Sequence, residues 1–179
     1  FILAGQSNME GKGFVEPKQS HLDKNGGKGT LRYLYNKNKS QYKYLVNSSG
    51  KWSARNDVWL VDVSRQGPLK ADFNNTMGPE LQFGHEIGNY YKKNQVLLIK
   101  TAWGGKSLYA NFRPPSSGGK TGDNYNMMIK RVREVLGNIK KFYPGYNGQG
   151  YELIGFGWHQ GWNDRVKEEA VDEYKENCV

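Results

Sequence analysis

The sequence predicts an α/β protein built on a mostly parallel sheet with helices on both faces. Three observations carry that expectation. Four short apolar runs, at residues 1–4, 58–63, 96–101 and 153–158, have strand character and are separated by helical patterns. The third run, Val-Leu-Leu-Ile-Lys-Thr, is almost continuously apolar, as a strand covered on both faces must be. The length of 179 residues suits one domain with a sizeable core.

In chain order, Phe1-Ile-Leu-Ala reads as a strand entered partway. An excursion over about 17–57 follows, rich in Gly, Asn, Lys and Tyr, with little periodicity and room for a hairpin. Connections that long are usually functional or mobile. After the strand at 58–63, Pro79-Glu80-Leu81 opens a helix on which Leu81, His85 and Gly88 share a face. After the strand at 96–101, a longer helix is predicted from about Asp123 to Phe142. Met128, Val132, Val135, Leu136 and Ile139 form its apolar stripe, and Pro144-Gly145 stops it. A last helix begins after Asp164 and carries no stop signal. The expectation is a single domain over 1–179, incomplete at both ends, with the insertion at 17–57.

In open parallel sheets, ligands bind beyond the carboxyl ends of the strands. Three polar, glycine-bearing segments leave such ends: Gly5-Gln6-Ser7-Asn8-Met9, Ala102-Trp103-Gly104-Gly105-Lys106-Ser107 and His159-Gln160-Gly161-Trp162-Asn163-Asp164. Their convergence on one sheet edge is the main physical signal in the sequence.

Composition narrows the chemistry. One cysteine, Cys178, excludes an internal disulfide framework and a Cys-cluster zinc site. Three scattered histidines argue against a His-built metal site, so neither metal nor cofactor is expected. No apolar run approaches the roughly 20 residues of a membrane helix. The net charge of +9 permits anionic partners, but the lysines are spread along the chain. The densest basic stretch, Lys130, Arg131, Arg133, Lys140 and Lys141, reads as a solvated helix face. No nucleic-acid motif accompanies the charge, and no nucleic-acid partner is predicted.

Several familiar motifs fail. Gly104-Gly105-Lys106-Ser107 lacks the earlier glycine of a phosphate loop, because that position holds Lys100. Gly155-Phe-Gly157 lacks the third glycine of a dinucleotide fingerprint, since Gln160 stands there. Gly-x-Ser-x-Gly is absent. Ser7 remains, and alone it could equally be a turn or helix cap. Its neighbours supply what a nucleophilic serine needs. The Ser7 and Gly105 backbone N–H groups and the Gln160 amide could hold a tetrahedral oxyanion.

Phe-Ile-Leu-Ala-Gly-Gln-Ser-Asn-Met-Glu-Gly at 1–11 resembles the nucleophile block of the sialate O-acetylesterase-like and acetylxylan-esterase-like branch of the SGNH hydrolase superfamily. Lys-Thr-Ala-Trp-Gly-Gly-Lys-Ser-Leu at 100–108 resembles its glycine block, and Trp-His-Gln-Gly-Trp-Asn-Asp at 158–164 its third block. The resemblance implies a three-layer α/β/α flavodoxin-like fold and a metal-independent serine esterase that removes O-acetyl groups from carbohydrate, of sialic acid-like or xylan type. It implies Ser7 as nucleophile, with Gly105 (or Gly104) and Gln160 joining the Ser7 N–H in the oxyanion hole. Asn8, Trp103, Gly104, Arg113, His159, Trp162 and Asp164 are candidate substrate-binding residues, with Asn8 and Glu10 shaping the turn. Trp162 stands where that branch often has Glu, so no role can rest on that carboxylate.

The superfamily takes its base from an Asp-x-x-His block, and none of His21, His85 or His159 has Asp three residues before it. The base is expected beyond Val179, leaving this stretch inactive by itself. His85 is read as a structural helix residue and His21 as exposed. His159 is given an orienting role, on the face opposite to Gln160 if the strand continues. Acetylated glycans being mostly extracellular, a secreted or periplasmic location is expected. A non-catalytic glycan-binding protein on the same scaffold is the alternative.

Overall fold

The computed structural model describes residues 1–71 and 75–178. The chain runs through β1 (Ile2–Gly5), α1 (Ser7–Glu10), β2 (Gly13–Phe14), α2 (Gln19–Asn25), α3 (Leu31–Lys37), α4 (Lys39–Tyr42) and β3 (Arg55–Val61). It continues through β4 (Gln66–Leu69), β5 (Thr76–Met77), α5 (Glu80–Tyr90), β6 (Val96–Ala102), α6 (Asp123–Gly137) and α7 (Ile139–Phe142). β7 (Phe156–His159), α8 (Glu168–Asp172) and α9 (Tyr174–Asn177) complete it. Five strands form one sheet in the order β4-β3-β6-β1-β7, with β1 parallel to both β6 and β7. The mixed α/β class with a mostly parallel sheet is the one the apolar runs predicted. Among the described residues no helix is long and apolar enough to cross a membrane.

The chain divides into two compact units. One comprises Phe1–Glu10, Leu60–Gly67 and Leu97–Val179, the other Gly11–Trp59 and Pro68–Val96. The first holds the centre of the sheet. All four β1 residues are buried, and Leu98, Ile99, Thr101 and Ala102 are buried on β6, because central strands meet apolar cover on both faces. Met128 and Val135 of α6 and Ile139 and Phe142 of α7 are buried along one stripe. The predicted single helix is broken at Asn138, whose φ of −147° and ψ of 59° are not helical. β7 starts later than expected: Leu153 and Ile154 precede it and are exposed.

Lys100 is the exception on β6. Its side chain is fully buried, and its Nζ donates to the Glu10 carbonyl at 3.0 Å and pairs with Asp62 Oδ2 at 3.3 Å. A buried ammonium costs several kcal/mol without such partners.

In the second unit the excursion is more ordered than its composition suggested. Thr30 caps α3 by accepting the Tyr33 N–H, and Asn38 caps α4 by accepting that of Gln41. The expected hairpin shrinks to one antiparallel bridge, Val46 with Trp52. β2 and β5 pair antiparallel, and beside them Glu16 accepts from Arg32 Nη2 at 2.7 Å and Trp52 Nε1 at 2.8 Å. Burial opposes the charge, yet these bonds hold the Glu16 carboxyl below its ordinary value.

Candidate active site

The three polar segments meet because of strand register. Gly5 at the end of β1 stands opposite Ala102 of β6 and His159 of β7. The ladder runs one step further, with Gln6 N–H donating to the His159 carbonyl and Trp103 N–H to that of Gly5, both at 3.1 Å. Gly5 has φ +152°, and a Cβ there would lie 2.1 Å from the His159 carbonyl oxygen. Only glycine permits that approach.

Gln6, buried as the chain leaves β1, staples the first segment to the third. Its Nε2 donates to Asn163 Oδ1 at 3.0 Å. Its Oε1 accepts from Gln160 Nε2 at 3.2 Å and from the Asn163 N–H at 3.3 Å. Asp164 staples the third segment to the second. It is buried and accepts the Leu108 and Tyr109 N–H groups at 2.9 and 2.8 Å.

That geometry bears on two expectations. Asp164, placed beside the substrate by its position in the third block, spends its carboxylate on two backbone amides and on Gln160 Nε2. The Gln160 amide, expected to donate to an oxyanion, is committed to Gln6 Oε1, to the Lys106 carbonyl at 3.0 Å and to Asp164. Its Oε1 accepts from the Tyr174 hydroxyl at 2.8 Å, and burial raises the Tyr174 pKa, keeping that donor protonated. Both side chains link the three segments through these bonds.

Ser7 opens α1 and is half-buried. No hydrogen bond engages its hydroxyl among the described residues. The glycine turn lies beside it: a Cβ on Gly104 would sit 3.7 Å from Ser7 Cβ and 3.0 Å from Glu10 Oε2. Gly104 N–H donates to that Glu10 oxygen at 2.8 Å. Gly105 has φ +71°, in the left-handed region, with open space around it. Trp103 is half-buried, its ring 6.0 Å from that of Phe112.

A cavity of about 300 Å³ is lined by Gln6, Asn8, His159, Gln160, Gly161, Trp162 and Arg165. Asn8, His159 and Arg165 are its uncommitted polar side chains, since Gln6 and Gln160 are occupied with one another. His159 and Gln160 line it together. The alternation that set them on opposite faces ends where β7 ends, at His159. Trp162 is exposed, and the Arg165 guanidinium lies 3.8 Å over its ring. No acidic residue lines the cavity.

Arg113 is not among the lining residues. Its guanidinium binds Glu173 at 2.6 Å and the carbonyls of Gly118 at 2.8 Å and Ser117 at 2.9 Å, which fixes its own loop. His85 is buried on α5 against the edge of the Tyr44 ring; burial first, and then Arg55, lower its pKa. His21 is half-buried instead of exposed, its Nδ1 accepting the Lys18 N–H at 3.2 Å. Sequence reasoning passed over Gln6 and Arg165. Gln6 had a signal, a polar residue directly continuing a wholly apolar strand. Arg165 had none beyond its closeness to Trp162.

A mostly parallel α/β sheet whose three neighbouring strand ends bring a serine, a glycine turn and a Gln-Gly-Trp-Asn-Asp segment together defines a mixed α/β protein with a candidate site at the carboxyl edge of the sheet. The particular family follows from comparison. The chain belongs to the carbohydrate esterases described as sialic acid-specific acetylesterase, whose family model matches residues 1–179. Its fold is similar to that of a crystallised protein of Arabidopsis thaliana, with 18% identity and a TM-score of 0.57 over 99% of this chain and 63% of that one. It is also similar to that of a carbohydrate acetylesterase from Xanthomonas citri, with 13% identity and a TM-score of 0.50 over 99% of this chain and 35% of that one. The chain thus spans less than two thirds of either structure. A comparison with curated protein sequences returned no match.

Proposed function

We propose that this chain carries the nucleophile and oxyanion side of a serine esterase that removes O-acetyl groups from carbohydrate. The observation that carries the reading is the placement of Ser7, hydroxyl unengaged, against the Gly104-Gly105 turn. A general base takes the Ser7 hydroxyl proton as Oγ attacks the acetyl carbonyl carbon, and the carbonyl π electrons move to oxygen. The Ser7 and Gly105 N–H groups, fixed in the backbone, are the donors suited to that oxyanion. Its collapse expels the sugar oxygen, which takes up the proton removed from Ser7, and leaves an acetyl-serine. Water, deprotonated by the same base, then releases acetate and restores the hydroxyl.

None of the three histidines of this chain, all of them among the described residues, hydrogen-bonds to Ser7, and the reading takes its base from a histidine beyond Val179. Gln6, Gln160 and Asp164 keep the segments in register, while Asn8, His159, Trp162 and Arg165 face the sugar. A cavity with one cation and no acid suits a carboxylated, sialic acid-like sugar better than neutral xylan. Such substrates suit a protein that works outside the cytoplasm, secreted or periplasmic.

The test is hydrolysis of an aryl acetate and of an O-acetylated sialic acid by the full-length protein and its Ser7→Ala variant. Loss of acetate release in the variant supports the reading. Normal turnover by Ser7→Ala would sink it, and sugar binding with no acetate release by either form would favour a glycan-binding protein.

A further inference from the structure

We infer that Glu10 is a positioning residue that sets the distance between the two oxyanion donors. The inference rests on the esterase reading. Glu10 and Ser7 are the two ends of the same four-residue helix, α1, so they move as one body. The backbone of Glu10 is held from both sides. Its N–H donates to the Gln6 carbonyl at 2.8 Å, and its carbonyl accepts from the buried Lys100 Nζ at 3.0 Å. Lys100 is itself fixed by Asp62, which also accepts from Arg65 Nε at 3.1 Å and from the Val63 N–H at 2.6 Å.

From this fixed backbone the Glu10 side chain reaches the glycine turn, where Oε2 accepts the Gly104 N–H at 2.8 Å. Gly104 is solvent-exposed, and the next residue has φ +71°; two adjacent glycines in an exposed turn have little else to select one conformation. The Gly105 N–H belongs to the peptide joining these two glycines. Pinning the Gly104 nitrogen anchors the turn to α1 one peptide before the Gly105 N–H, so only the Gly104 φ and ψ rotations separate the clamp from that donor. The route runs from Asp62 through Lys100 and Glu10 to Gly104, and each link is a direct polar contact.

The requirement is for an acceptor at this position and not for its charge. Glu10→Gln keeps an oxygen that can accept the Gly104 N–H, whereas Glu10→Ala removes it. Two measurements on these variants test the clamp. The first is amide hydrogen exchange of Gly104 and Gly105 by NMR, which needs no catalysis. Exchange at Gly104 should accelerate about tenfold or more in Glu10→Ala and stay near wild type in Glu10→Gln. The second is p-nitrophenyl acetate hydrolysis by the full-length protein. Glu10→Ala should lose about 10- to 100-fold in kcat with KM nearly unchanged, as expected when a reacting geometry is loosened. Glu10→Gln should retain most of the turnover, and both variants should melt cooperatively.

Unchanged Gly104 exchange in Glu10→Ala would overturn the clamp whatever the activity. So would faster exchange with undiminished kcat, or a Glu10→Gln as impaired as Glu10→Ala, which would make the charge the requirement. A wild-type protein that releases no acetate counts against the esterase reading instead, and the exchange measurement still decides whether Glu10 holds the turn.

Discussion

The Asp164 carboxylate accepts the backbone N–H of Leu108 at 2.9 Å, joining residues 56 positions apart. Its other oxygen takes the neighbouring Tyr109 N–H at 2.8 Å. The segment after β6 is thereby tied to the segment after β7, which fixes the exit from the glycine turn. Asp164→Ala leaves two amides without an acceptor, one of them on buried Leu108. It should cost about 2–4 kcal/mol in urea unfolding. Asp164→Asn keeps one acceptor oxygen and should cost less. Equal midpoints for wild type and Asp164→Ala would show that the contact carries no stability.

Gly105→Ala tests the turn in a different way. No atom lies within 4 Å of the added Cβ, so the penalty is the left-handed backbone alone. That is about 1–2 kcal/mol, worth only a few degrees in Tm. Turnover should suffer more, because relaxation of the strained peptide turns its N–H away from the oxyanion. A drop of tenfold or more in kcat with a small change in Tm is expected. A variant with full turnover would exclude Gly105 N–H as a donor.

Arg165 lies over the Trp162 ring, and its N–H groups have no hydrogen-bond partner among the described residues, which suits them to a planar anion. Tryptophan fluorescence titration with N-acetylneuraminic acid and with its methyl ester separates charge from shape. Arg165→Gln should weaken acid binding about tenfold and leave ester binding unchanged. Trp162→Ala should weaken acid binding as well, by releasing the guanidinium. Equal affinities of wild type and Arg165→Gln for the acid would count against a carboxylate contact.

His85 predicts a pH response of stability. Burial, then Arg55, lowers its folded pKa, with Asp57 and Glu86 opposing, so the folded state favours the neutral ring. The unfolded state binds the proton more readily. The contribution is therefore fully present above about pH 6.5 and is lost as pH falls toward the lowered folded value. Tm should decline between pH 7 and 5, and His85→Gln should flatten that slope. The lowered carboxyls of Glu16 and Asp57 act in the same direction, but only below about pH 4.5. An unchanged slope in His85→Gln would remove His85 from the account.

Legibility in the sequence followed element length and burial. β1, β3 and β6 could be located because each contains an apolar run, at 2–4, 58–61 and 96–99, that shows cover by other layers, although β3 begins three polar residues earlier, at Arg55. β2 and β5, two residues each, are too short for any period to register, and β4 is four residues containing Gly67 and Pro68. The helices between 19 and 42 bury almost nothing except Leu31, so no apolar stripe announced them. Leu153 and Ile154 misled in the other direction, being apolar, β-prone and exposed.

The sequence by itself determined where chemistry could occur: three polar segments, each leaving an apolar strand, with Ser7 in the first and a pair of glycines in the second. Tertiary structure alone decided which polar groups remain available. Ser7, Asn8, His159 and Arg165 are uncommitted, while Gln160, Asp164 and Arg113 are already occupied. The physical reason is that a donor or acceptor is spent by whichever partner the fold brings within about 3 Å. Those partners are Gln6 for Gln160, Leu108 for Asp164 and Glu173 for Arg113, at separations of 154, 56 and 60 residues. Strand register and loop packing set such pairings, and local sequence pattern carries no record of them.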